Sequence, residues 1–155
     1  MTSATLTSRP GSGRHELLPF DPVDELVDAE MDWHLTATHW GAFSGADEQR
    51  ILDALEYSLH GAAKACNRLE LVAAAIAKGV VDCVQVEESE AEFPAERHVN
   101  LPRATNALLR SILETCATFQ RRAARLRRGH ELRSRFDSVM RHADTLLMRV
   151  SRRLA

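Results

Sequence analysis

One pattern constrains this chain more than any other. Leu52, Leu55, Leu59, Ala62, Cys66, Leu69, Ala73, Ile76 and Val80 follow one another in steps that alternate three and four. A seven-residue repeat held this long sets every member on one stripe of an α-helix and keeps that stripe facing a neighbour. A strand is excluded, because its apolar period is two. The stripe requires partner helices, and the small side chains of Ala62 and Ala73 let them approach closely. Ser44-Gly-Ala-Asp47 has the spacing of a capping box at the start of this helix, and Gly79 suits its end.

A second set of stripes lies near the C-terminus. Leu132, Phe136, Val139, Ala143, Leu146 and Val150 are spaced as one helix face, widened by Met140, Leu147 and Leu154. Upstream, Leu108, Ile112, Phe119, Ala123 and Leu126 form another. Gly129 stands between them, after Arg127 and Arg128, as expected at the negative end of a helix dipole. The spacing predicts two helices, 102–128 and 131–153, with Asn100 as cap and Pro102 in the first turn. The rival is one long helix, but a continuous heptad would bring Arg133 into the seam.

The front of the chain adds one more helix. Asp21-Pro22 is an N-cap followed by proline at N1. Val23, Leu26, Val27, Met31 and Leu35 give the helix an apolar side as far as about Thr38. Its other positions are acidic: Asp24, Glu25, Asp28, Glu30 and Asp32. Trp40 to Gly45 is a turn. Residues 1–19, rich in Ser, Thr, Gly and Pro, are expected to be a disordered arm. Residues 20–155 are expected to form a single domain. Within it, 81–100 is an acidic connector, where Val80–Val86 is either a short strand or more helix and Glu87–Glu96 is a solvated loop.

The expected fold is therefore all-α, an antiparallel bundle of about four helices with coiled-coil-like seams. Helix 47–78 should pack on 103–128, and the acidic first helix should lie near the basic pair. That last expectation comes from charge. The net charge of −2 conceals a division: the first hundred residues hold 18 acidic and 7 basic side chains, and the remaining 55 hold 4 acidic side chains and 13 Arg. The two halves either neutralise one another or leave a basic face for an acidic partner.

The three Cys lack any CxxC spacing. They are expected to be free thiols, with Cys66 and Cys116 on apolar faces, in a reducing compartment. No apolar run reaches spanning length and no signal segment opens the chain, so the expectation is a cytoplasmic protein with no membrane partner.

Several motifs carry chemistry. Arg121, Arg122, Arg125, Arg127 and Arg128 form the densest basic cluster and are the candidate nucleic-acid or polyanion contacts, since Arg binds phosphate bidentately and releases counterions. No base-stacking aromatics accompany them. Glu30 with His34, and Glu56 with His60, stand one helical turn apart and can chelate, with His39 as a further nitrogen. Neither pair has the Glu-x-x-His spacing of di-iron bundles, and no metal or cofactor is assigned.

Arg125-Leu-Arg-Arg-Gly-His130 and Arg135-Phe-Asp-Ser-Val-Met-Arg-His142 have an Arg-x4–6-His spacing that resembles the motif of the all-α HEPN ribonucleases. The resemblance implies RNA cleavage across a dimer, with Arg135 and His142 at the phosphodiester; the polar residue that often follows the Arg is Leu126 or Phe136 here. His130-Glu-Leu-Arg-Ser134, followed by Phe136 and Val139, resembles the phosphoacceptor box of histidine-kinase dimerisation helices, with Arg135 where that family has Pro. It implies that His130 receives a phosphoryl group from another protein. Otherwise no Gly-x-Ser-x-Gly, P-loop or GxGxxG is present, and no catalytic residue is assigned. The function expected first is a non-enzymatic interaction or regulatory protein that acts through helical surfaces and self-associates as a homodimer, with a protein partner. Nucleic-acid binding through the Arg cluster and a HEPN-like ribonuclease are the alternatives.

Overall fold

A computed structural model of the chain describes residues 5–7, 19–39, 47–86 and 96–154. Four helices carry the fold: α1 (Pro22–His39), α2 (Glu48–Ala77), α3 (Leu101–Ala124) and α4 (His130–Ser151). Three short strands, β1 (Thr5–Thr7), β2 (Asp82–Val86) and β3 (Glu96–Asn100), form a small antiparallel sheet in that order. The all-α bundle expected from the heptad pattern is the architecture found.

α2 is the central helix. All nine members of its repeat are buried, from Leu52 at 9% exposure to Leu55, Ala62, Cys66 and Leu69 at 0%. Ile51, Ala54, Ala65, Val72 and Ala75 are buried as well, so α2 presents apolar surface to three neighbours at once. α1, α3 and α4 all pack against it. Its start is capped by Asp47, whose carboxylate accepts a hydrogen bond from the Arg50 amide at 2.9 Å. Thus the last residue of the proposed Ser44–Asp47 box is the cap itself, and Ser44 and the 40–45 turn lie outside the described residues. At the other end the chain turns at Gly79, whose φ of 104° is open to glycine and strained for other residues.

α3 and α4 form a hairpin around Leu109, Ile112, Cys116, Phe119, Leu132, Phe136, Ala143, Leu146 and Val150, all buried. The Phe119 and Phe136 rings meet at 6.0 Å between centroids, tilted by 49°. Asn100 caps α3 by accepting from the Arg103 amide at 3.0 Å. Two helices are present rather than one, but α3 stops at Ala124, short of the expected Arg128. Successive tight turns then run Arg125→Arg122, Leu126→Ala123 and Gly129→Leu126. Gly129 does not close α3 in a left-handed conformation. It is the N-cap of α4 with φ −85°, and glycine is required because a Cβ there would strike the Ala123 carbonyl.

Three expectations need correction. The buried face of α1 is Val23, Leu26, Ala29, Trp33 and Thr36; Val27, Met31 and Leu35 are exposed. Furthermore, α1 packs along α2 and only touches α3, chiefly where Trp33 Nε1 donates to Ser111 Oγ at 3.3 Å. Of the two alternatives for Val80–Val86, the short strand is the one found. β2 pairs with β3 from Asp82↔Asn100 to Val86↔Glu96, and β2 pairs with β1 from Thr5↔Val86 to Thr7↔Val84. Thr5–Thr7 is therefore strand where a disordered arm was expected. The acidic loop 87–95 and the rest of the arm up to residue 18 lie outside the described residues.

Candidate polyanion-binding site

The distribution of charge follows from how the helices pack. α1 presents Glu25, Asp28 and Asp32 to α2, and one guanidinium gathers them. Arg68 Nε lies 3.1 Å from Asp32, and its Nη1 lies 3.2 Å from Glu25 and 3.4 Å from Asp28. Lys64, one turn earlier, stands 3.8 Å from Asp32. Among the described residues the acidic helix is thus engaged by two cations of α2 and by none of α3 or α4. Asp24, at the start of α1, has its carboxyl raised by partial burial and by the neighbouring Asp21 and Asp28.

The basic hairpin meets carboxylates along a single line. Arg135 and His142, seven residues apart on α4, lie on one face of it toward α2, and Arg128 of the link extends their line. Arg128 approaches Glu48 at 3.6 Å, Arg135 approaches Glu56 at 3.3 Å and His142 approaches Glu70 at 3.5 Å. Farther along, Arg153 donates to the Ala77 carbonyl at 2.7 Å, closing the end of α2. α2 and α4 therefore run parallel, clamped beside their apolar seam. Arg135 and His142, the pair that resembles the ribonuclease motif, each have an α2 carboxylate as partner. Glu56 is held by Arg135, whereas His60 lines a separate crevice with Tyr57 and Lys64. No group of three or more metal-ligating side chains occurs among the described residues, and the His39 side chain is not among them.

What remains is the far end of the hairpin. Arg121 and Arg122 occupy the last turn of α3 and Arg125 to Gly129 form the link to α4. Arg121 donates to Thr118 Oγ1 at 3.2 Å, and Arg128 reaches Gln49 as well as Glu48. Among the described residues, Arg121, Arg122, Arg125 and Arg127 have no carboxylate within ion-pairing distance. All five Arg are exposed. Arg121 and Arg122 complement the negative end of the α3 dipole, a structural role that leaves their guanidinium groups in solvent.

Beside the link, an open cleft of about 390 Å³ is lined by Arg121 and Gln120 from α3 and by His130, Arg133, Ser134 and Asp137 from α4. Gln120 Nε2 donates to the Arg133 carbonyl at 3.0 Å and ties the two walls together. Asp137 is held below the ordinary carboxylate range by Arg141, 2.7 Å away, so the cleft contains one anion against two Arg. No side chain caps the α4 N-terminus here, and its free amides add to the positive potential. His130 and Arg133 were not singled out with the Arg121–Arg128 cluster. Their signal was available in the sequence: i, i+3 spacing at the start of a helix, directly after that cluster.

A different surface lies between α1 and α3. A groove of about 710 Å³ is lined mainly by apolar side chains, among them Val27, Met31, Trp33, Ala104 and Leu108, with Glu30 and His34 at its edge.

No protein-family model matches the chain, and no curated protein or solved structure shows significant similarity to it. Among the described residues, no helix is long and apolar enough to cross a membrane.

Proposed function

We propose that this protein is a non-enzymatic helical module that binds nucleic acid through the Arg-rich end of the α3–α4 hairpin. One observation carries the reading. Three carboxylates of α1 meet Arg68 and three of α2 meet Arg128, Arg135 and His142, while Arg121, Arg122, Arg125 and Arg127 have no carboxylate partner among the described residues. Exposed guanidinium groups at this density favour a polyanion through bidentate phosphate contacts and counterion release. His130 and Arg133 extend the basic surface into the cleft. Few aromatic side chains stand nearby, so contact with the phosphate backbone should dominate over base readout.

The test is anisotropy binding of labelled single-stranded RNA and duplex DNA at low salt. Replacing Arg121, Arg122, Arg125 and Arg127 together by Gln should weaken binding at least tenfold with the helical CD spectrum unchanged. Equal binding by the variant would refute the site.

A second reading, contact with another protein through helical surfaces, has its own support in the exposed apolar side chains of α1. Val27 is 44% exposed, Met31 62% and Leu35 59%. Large side chains in such a row, beside a groove, are a feature of association surfaces.

A further inference from the structure

We propose that the α1–α3 groove is the contact surface for a second copy of this chain, in a two-fold dimer that sets α1 of each copy against α3 of the other. The inference rests on the protein-contact reading above and supplies its partner. Three features carry it.

The first is the unfilled groove itself. Val27, Met31 and Leu108 line about 710 Å³ of open space next to the core, where Trp33 closes the floor with its bond to Ser111. α1 makes little other contact with α3, so the described residues leave its apolar outer side uncovered.

The second is the charge on the two rims. Glu30 lies on the α1 side, and burial raises its carboxyl with no cation contributing. On the α3 side Arg103 and Arg110 precede Ala104 and Ser111, which line the groove, so helical spacing sets them along its outer edge. Arg110 donates to Asn106 Oδ1 at 2.9 Å, and neither Arg meets a carboxylate among the described residues. Glu114 is the one acid on that rim. An acidic edge and a basic edge on opposite sides of one apolar strip match each other when the strip is turned on itself.

The third is symmetry. A two-fold axis running along the groove exchanges its two edges and keeps the helix direction, so that α1 of each copy meets α3 of the other. The isologous contact then repeats each pairing twice, with Glu30 against Arg110 of the other copy in both halves. The apolar centre with a charged rim is the usual anatomy of such an interface.

Sedimentation velocity of the full chain over a concentration series tests this. A reversible dimer is expected, weakened at least tenfold by Met31→Glu, which alters a side chain exposed in the single copy and should leave the fold intact. Glu30→Arg and Arg110→Glu should each weaken self-association when studied alone. An equimolar mixture of these two variants should restore the dimer, because each then meets an opposite charge in both halves of the contact. A wild-type chain that stays monomeric at high concentration overturns the second-copy inference and leaves the groove to a different protein. A dimer indifferent to Met31→Glu and to charge exchange also overturns it, while self-association through another face would stand.

Discussion

Arg68 of α2 holds Asp32 of α1, with its Nε 3.1 Å from the carboxylate, and the same guanidinium reaches Glu25 and Asp28. A single planar fork thus collects three carboxylates of α1, separated from it by about forty residues of chain. It explains how an acidic helix can stand in a protein with thirteen Arg near its C-terminus without lying against them.

Replacing Arg68 by Ala should therefore leave three carboxylates facing one another at the α1–α2 contact. The pairs are partly exposed, so the loss of stability should be on the order of 1 kcal/mol, larger at low salt. Arg68→Lys should recover only part of it, because an ammonium cannot reproduce the bidentate fork. Urea unfolding at two salt concentrations measures this. Loss of the same size at high salt would mean that packing of the Arg68 stem, and not its charge, is what matters.

Gly61 offers a contrasting test. It stands where α1 crosses α2, and a Cβ added there would overlap the side chain of Thr36 back to its own Cβ. Thr36 is itself buried and donates its hydroxyl to the Asp32 carbonyl at 2.8 Å. In an isolated helix Gly→Ala stabilises by about 1 kcal/mol. Here separation of α1 from α2 should reverse the sign, with a net loss of about 1–2 kcal/mol. An increase in urea midpoint for Gly61→Ala would show that the helices are less closely apposed.

Much of the architecture was legible because it depends on local periodicity. The α2 repeat needs only its own spacing to be recognised, and every member is buried. The Asp21 and Asn100 caps are equally local, each side chain accepting from a backbone N–H two or three residues on, whereas the α2 cap is Asp47 and not the Ser44 of the expected box. α1 was misread because two stripes interleave on it. Val27, Met31 and Leu35 are as periodic as Leu26, Ala29, Trp33 and Thr36, and only the position of α2 decides which is covered. Gly129 was misassigned for a similar reason: its role is the approach of a carbonyl from the preceding helix, which no local pattern encodes. The candidate site was legible as a concentration of Arg. That Arg121, Arg122, Arg125 and Arg127 meet no carboxylate among the described residues was not, since ion pairing across α1–α2 and α2–α4 is set by tertiary contact.

The two buried cysteines provide a pH-dependent prediction. Cys66 and Cys116 are fully buried, and burial pushes both thiols up to about 12, with Cys66 adding to the shift at Cys116. In the folded protein they should stay protonated and unreactive where an unfolded thiol ionises. A group whose proton is held more tightly in the folded state favours folding at low pH, so this contribution is lost as pH rises above about 8.5, the unfolded thiol value, at about 1.4 kcal/mol per pH unit for each thiol. In a Cys83→Ala background, a thiol reagent at pH 8 should modify neither cysteine until denaturant is added. Rapid labelling of the native protein would mean that the α2–α3 seam opens.

The central claim is that the Arg-rich end of the α3–α4 hairpin is available to an acidic polymer instead of being neutralised within the chain. It is tested most directly by the dependence of single-stranded RNA affinity on salt. With four or five guanidinium groups engaging phosphates, a plot of log affinity against log salt should fall with a slope of about −3. The slope should approach zero when Arg121, Arg122, Arg125 and Arg127 are replaced by Gln. Absence of RNA binding at low salt by the folded wild-type chain, or a slope unchanged by those substitutions, would contradict the account.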